Sequence, residues 1–169
     1  CRLQNYRDPS RNPFCRDGHG RLEVFTAMRD GKATGRIVAS IHDASNARHG
    51  TRRGQFGFFD CIDDDAVASQ LLRVAENWLL ERGADEVAGN FNLTAMQMAG
   101  VVTDGFGAQP YTDMMWSAPH IAAHLQRNGY AATFPMRTYE TTLADVPEPA
   151  IENAKLSGIR NDPRITRVG

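Results

Sequence analysis

The spacing of apolar residues changes period several times along the chain, and each change predicts an element. From Arg21 to Met28, Leu22, Val24 and Thr26 alternate with Glu23, Phe25 and Ala27, the period-two pattern of a strand. Asp30-Gly31 then supplies a two-residue turn, and the Val/Ile-bearing run from Ala33 to His42 completes a hairpin. Asp43 to Gly54 is polar, contains Arg48, His49, Arg52 and Arg53, and reads as a loop. Gln55 to Ile62 follows, with Phe56, Phe58, Phe59, Cys61 and Ile62, a nearly unbroken apolar run suited to a strand buried on both faces. Asp63-Asp64-Asp65 ends that strand and begins a helix, because aspartate caps helix N-termini and complements their dipole. The helix is expected to run to about Arg82, with Val67, Leu71, Val74 and Trp78 at helical spacing, the stripe widened by Leu72, Ala75 and Leu79, and Gly83 beyond its end. Glu86 to Phe91 is a short apolar strand. Strand, helix and strand in this order imply a right-handed parallel crossover.

The flanks are less periodic. Cys1 to Gly20 is rich in Arg, Pro, Asn and Asp and reads as an irregular arm packing through Asn12-Pro13-Phe14. Thr94 to Val102 predicts a short helix with a Met96/Ala99 face, Asp104 to Gly107 a turn, and Tyr111 to Trp116 an extended segment. Pro119 suits the first turn of a helix to Asn128, closed by Gly129, with a narrow stripe of Ile121, Ala122 and Leu125. Tyr130 to Leu143 reads as one or two strands broken near Pro135. Residues 145–169 hold three prolines and read as a linker or the start of a following lobe. The sequence begins at Cys1 without Met and stops in Thr166 to Gly169, a strand-like start, which points to a piece of a longer polypeptide.

Composition narrows the class. The 169 residues, 41% hydrophobic and 23% charged, describe a globular domain rather than a disordered chain. A formal net charge of -1 gives no global field for nucleic acid or an anionic membrane, and no apolar run is long enough to span a bilayer. The cysteines at positions 1, 15 and 61 form neither a metal-ligand spacing nor an even disulfide set. With no signal-peptide pattern, Cys61 reads as a packed thiol and the protein as cytoplasmic.

The order of elements, together with Gly35-Arg36-Ile37, Gly54 to Asp60 and Gly100 to Phe106, resembles the GNAT acyltransferases, and more closely a bacterial branch of large two-lobed proteins similar to them. A helix from Pro119 closing on Gly129-Tyr130 agrees with that pattern. The resemblance implies an α/β fold with a central mixed β-sheet flanked by helices, spanning residues 21–144. It implies N-acyl transfer from acyl-CoA or acetyl-CoA to a small-molecule amine, with no metal and no nucleic acid, in concert with a second GNAT-like lobe or as a homodimer. The pantetheine arm is then expected along Phe58, Phe59, Cys61 and Ile62, with Asn90 to Asn92 opposite. Where the family carries a glycine-containing diphosphate loop, this chain has Asp63 to Ala68, whose carboxylates repel a diphosphate by about 1 kcal/mol or more per close pair. Where the family carries an acidic tyrosine, this chain has Leu125. Tyr130, His120 and His124 are the nearby substitutes. A non-catalytic binding or docking module of the same fold is the alternative reading.

Other candidates have plainer readings beside the functional ones. Asp60 is a candidate general base or an exposed strand-end carboxylate. His120 and His124, four residues apart, resemble half of a metal site but read as surface histidines without a third ligand. The cluster of Arg48, His49, Arg52 and Arg53 reads as a loop that binds a phosphate or RNA, or else as a solvated one without the interleaved aromatics of a nucleic-acid platform. Asn92-Leu93-Thr94 matches a glycosylation sequon, but Asn92 reads as a polar residue at a strand end. Met114, Met115, Trp116 and Phe106 read as core, or else as the lining of an acyl tunnel.

Overall fold

The computed structural model describes residues 7–93, 98–110 and 114–139. It divides into two compact units, Cys1–Ala131 and Ala132–Gly169. Every helix and strand among the described residues lies in the first. In the second, residues 132–139 have no regular secondary structure, so the strands expected after Tyr130 are absent there, and 140–143 lie outside the described residues. So do the expected boundary at 144–145 and the linker that follows it.

The hairpin forms as its pattern requires. Strands β1 (Arg21–Arg29) and β2 (Lys32–Ile41) pair antiparallel around Asp30 and Gly31, both at positive φ, the conformation that matches strand twist in a two-residue turn. β2 pairs antiparallel with β3 (Arg53–Cys61), and β3 pairs parallel with β4 (Glu86–Ala88), giving a mixed sheet in the order β1-β2-β3-β4. The segment from Asp43 is not a loop. It forms helix α1 (Asp43–His49), capped by His42 Nδ1 accepting from Ser45 N and closed by left-handed Gly50. No α1 residue is buried, so the helix has termini but no apolar stripe to announce it.

Helix α2 (Asp65–Leu80) connects β3 to β4, with Asp64 as N-cap accepting from Ala66 N and Val67 N. Its buried face is Val67, Ala68, Leu71, Leu72, Ala75 and Leu79. Val74 is exposed and Trp78 only partly buried, so the stripe is rotated from the one the spacing predicts. α2 packs on the sheet with Ile37, Ala39, Ile41, Phe56 and Phe59, joined by Ile121 and Leu125 of helix α3 (Pro119–Arg127). Full burial of a side chain such as Phe56 contributes about 1.5–3 kcal/mol. The opposite face of the sheet has a smaller core of Leu22, Val38 and Leu93, against which Phe14, Val24 and Phe58 pack. The arm therefore docks through Phe14, as expected, and β1 finds apolar partners on both faces.

Several flanking expectations change. β4 ends at Ala88 rather than Phe91. Met98 to Val102 is not helical: Ala99 bridges Phe91, and Val102 N donates to the Ser117 hydroxyl. Residues 94–97 and 111–113 lie outside the described residues, and 114–118 form no strand. Trp116 is 56% exposed and Met114 44%, so neither belongs to the core. Among the described residues, no helix is long and apolar enough to cross a membrane.

Candidate functional site at the end of β3

Strand β3 stays paired with β4 only through Arg53↔Glu86, Gly54↔Val87 and Gln55↔Ala88. Beyond Gln55 the two chains are brought together differently. At Gly57 the backbone touches residue 91 so closely that a Cβ would lie 1.7 Å from the Phe91 carbonyl oxygen. On the other side, β2 pairs Val38 with Gly57 and Arg36 with Asp60, so β3 bulges at Phe58 and Phe59. Phe58 takes φ 51, an uncommon backbone for a bulky residue that lacks an amide or carboxylate side chain.

The bulge turns backbone groups toward residues 90–92. Phe91 N donates to Phe56 O at 2.8 Å. Phe58 N donates to Asn92 Oδ1 at 2.8 Å, and Phe59 N to Asn90 Oδ1 at 3.5 Å. At the strand end, Cys61 O lies 2.8 Å from His120 Nε2. A carbonyl only accepts, so Nε2 carries the hydrogen and Nδ1 is the basic nitrogen of the neutral ring. Asn90 is buried, and Asn92 is fixed by its backbone N donating to Met98 O. The resemblance sets Asn90 to Asn92 opposite β3 but singles out Asn92 alone as a binding residue. The two-residue spacing in Gly89-Asn90-Phe91-Asn92 is the signal that the two amides act together.

Below this edge, the α2 N-terminus meets α3. His124 is fully buried rather than on the surface. Its Nδ1 lies 2.8 Å from Asp65 Oδ1, which also accepts from Arg127 Nε at 2.7 Å. Its Nε2 is 3.3 Å from Asp63 Oδ1, within ion-pair reach but outside hydrogen-bond geometry. His120 stacks edge-on against His124, with ring centroids 5.4 Å apart. The position of His124 between Ile121 and Leu125, on their helical face, is the signal that it is buried. Asp65 is held below the usual carboxylate range first by the His124 hydrogen bond and then by Arg127. Asp64 is held down first by Arg29, whose Nη2 donates to it at 2.8 Å. The acidic turn thus caps α2 as its sequence predicts, and its charges are partnered within the chain.

The remaining expected site residues are dispersed. Asp60 is exposed, facing Arg36 at 3.7 Å. Tyr130 donates its phenol hydrogen to Glu76 at 2.6 Å and packs against the Phe56 ring. Burial first, and Glu76 second, hold that phenol far above its ordinary range. Burial, then Asp60, Asp63 and Asp64, push the Cys61 thiol up to about 11, so it is a packed thiol rather than a nucleophile. Ile62 is exposed, its N–H given to Thr34 O. Arg52 and Arg53 form exposed ion pairs with Asp85 and Glu86 instead of opening a phosphate site. Among the described residues, no group of three or more His, Cys, Asp or Glu is placed to hold a metal ion.

No protein-family model matches the chain, and no solved structure matches it. Among curated proteins it is similar to Protein YghO of Escherichia coli (strain K12), 36% identical over 108 residues, which are 64% of this chain and 28% of that protein. It is also similar to Bacterial ceramide synthase of Caulobacter vibrioides (strain NA1000 / CB15N), 32% identical over 149 residues, 87% of this chain and 38% of that protein. The chain thus spans well under half the length of either curated relative, and the similarity to a protein named as a synthase runs through the whole β3–α2–β4 region.

Proposed function

We propose that this chain is a GNAT-type lobe of a longer cytoplasmic acyltransferase that moves an acyl group from acyl-CoA to the amine of a small molecule. The observation that carries this reading is the similarity to Bacterial ceramide synthase along 87% of the chain. A ceramide is the amide of a long-chain amino alcohol, so an amine of that class is the acceptor we propose. The separation of β3 from β4 beyond Gln55 supports the reading, because it leaves an edge of β3 without a strand partner. Phe58, Phe59, Cys61 and Ile62 form the proposed wall for the acyl-CoA arm, with Asn92 facing them.

In the proposed reaction the amine nitrogen attacks the thioester carbonyl carbon. A C–N bond forms, the C–S bond breaks, the nitrogen loses one proton, and the departing thiolate gains one to leave as free CoA. The Phe58 backbone N–H, once released from Asn92 Oδ1, orients the thioester and polarises its oxygen. Of the candidate proton-handling groups, we assign the role to His120, whose Nε2 is held by Cys61 O at the β3 end, leaving Nδ1 as the basic nitrogen. Tyr130 is committed to Glu76, and Asp60 faces outward.

The test is the longer protein incubated with acyl-CoA of short and long chain and with a sphingoid amine, with amide followed by mass spectrometry and free CoA by thiol titration. Equal amounts of amide and CoA are expected, and His120→Ala should lower the rate by about 10²-fold. No amide from any acyl-CoA would end the reading. A second reading, a non-catalytic docking lobe paired with another lobe or a second copy, is favoured by the acidic α2 N-terminus, where a diphosphate would meet Asp63, Asp64 and Asp65. A second strand–helix–strand unit with a glycine-containing loop elsewhere in the longer protein would place the diphosphate there.

A further inference from the structure

We propose that Asn90 and Asn92 are a built-in clamp that keeps an extended, amide-bearing ligand off the bulged edge of β3. The inference rests on the acyl-CoA reading only for the identity of that ligand. A strand edge that has lost its neighbour normally exposes N–H and C=O groups to water or to an added strand. Here Phe58 N meets Asn92 Oδ1 at 2.8 Å and Phe59 N meets Asn90 Oδ1 at 3.5 Å. A side-chain amide presents the same acceptor as a peptide carbonyl, so the two asparagines stand where the carbonyls of an incoming extended chain would bond.

The clamp is braced from behind. Gly100 N donates to Asn90 O at 2.8 Å, Asn92 N donates to Met98 O at 3.0 Å, and Asn92 Nδ2 reaches Met98 Sδ at 3.8 Å. Gly57 brings residue 91 against β3, which sets the reach of both amides. The two bonds are unequal. Asn92 holds the shorter one and is partly exposed, whereas Asn90 is 3% exposed and its bond is at the limit of hydrogen-bond length. Asn92 is therefore the side chain a ligand has to displace, and Asn90 the one that positions the bulge.

The test titrates D-pantetheine and acetyl-CoA into the full chain and its Asn92→Ala variant, with amide hydrogen exchange at Phe58 and Phe59 followed by NMR. Asn92→Ala should speed exchange at Phe58 and tighten pantetheine binding at least about tenfold. Asn92→Asp keeps an acceptor oxygen and should hold both readouts near wild type, which separates the clamp from loss of folding. Faster Phe58 exchange with unchanged or weaker pantetheine binding would overturn the proposal, as would wild-type binding as tight as that of the variant. Tighter pantetheine binding in a protein that forms no amide would leave the clamp standing and remove only the acyltransfer reading.

Discussion

His124 Nδ1 lies 2.8 Å from Asp65 Oδ1, tying the middle of α3 to the first turn of α2. The imidazole is fully buried while the carboxylate is largely exposed, so the two partners stand to lose different things on mutation. His124→Ala opens a hole beside Ile121 and Leu125 as well as removing the bond. It should cost about 2–4 kcal/mol in chemical denaturation, a cavity-sized effect. Asp65→Asn keeps an acceptor and the shape, and should cost far less. Equal losses in the two variants would show that the hydrogen bond, rather than packing, dominates.

The same turn predicts an acid-labile contact. Asp64 and Asp65 are held below their ordinary value of 3.8 in the folded chain, by Arg29 and by His124 with Arg127 respectively. As pH falls, the unfolded chain takes up these protons first. The stability they contribute is complete above the unfolded value and is lost as pH drops through the lower folded values. Wild type and Asp65→Asn should thus differ in stability at pH 6 and converge as acid protonates the folded carboxylate. Circular dichroism of urea melts across that range is the measurement. A gap between the two that stays constant with pH would contradict the assignment.

Two glycines should respond to alanine to different degrees and for different reasons. At Gly57 a Cβ would sit 1.7 Å from the Phe91 carbonyl oxygen, so β3 and residue 91 must part. Gly57→Ala should cost about 3 kcal/mol or more and disturb the Phe58 and Phe59 amides in an NMR spectrum. Gly83 has φ +86 with nothing within 4 Å of an added Cβ. Its replacement meets backbone strain alone and should cost about 1 kcal/mol with the spectrum otherwise unchanged.

What the sequence makes legible follows the strength of its periodic signals. The hairpin, β3 and α2 can be read because alternation, an apolar run and a capped amphipathic stripe each match one element. α1 escapes because it buries nothing, although His42, Asp43, Arg48 and Gly50 are ordinary helix-end residues. The bulge at Phe58 is a tertiary feature: the backbone there answers to Gly57 and residue 91, which are far apart in the chain. His124 was hidden by its polarity within an apolar stripe, and Trp116 misleads in the opposite sense, being aromatic yet exposed. The acidic turn reads as a cap and is one, but its partners, Arg29 of β1 and His124 and Arg127 of α3, leave no mark on the local sequence.

Cys61 offers a test of whether the end of β3 is closed as the structure shows. The residue is 7% exposed, and burial with the nearby carboxylates of Asp60, Asp63 and Asp64 raises its thiol to about 11. In a Cys1→Ser, Cys15→Ser background, iodoacetamide at pH 8 should react about a hundredfold more slowly with the native chain than with the urea-unfolded one, since only the thiolate attacks. The native rate should keep climbing above pH 10. The linkage has the opposite sense to that of the aspartates. The unfolded thiol releases its proton first as pH rises, so the folded state loses stability between the ordinary value of 9.0 and about 11. Cys61→Ala should remove that alkaline loss. Rapid alkylation of the native protein at pH 8 would instead reveal an accessible thiolate and return Cys61 to consideration as a nucleophile.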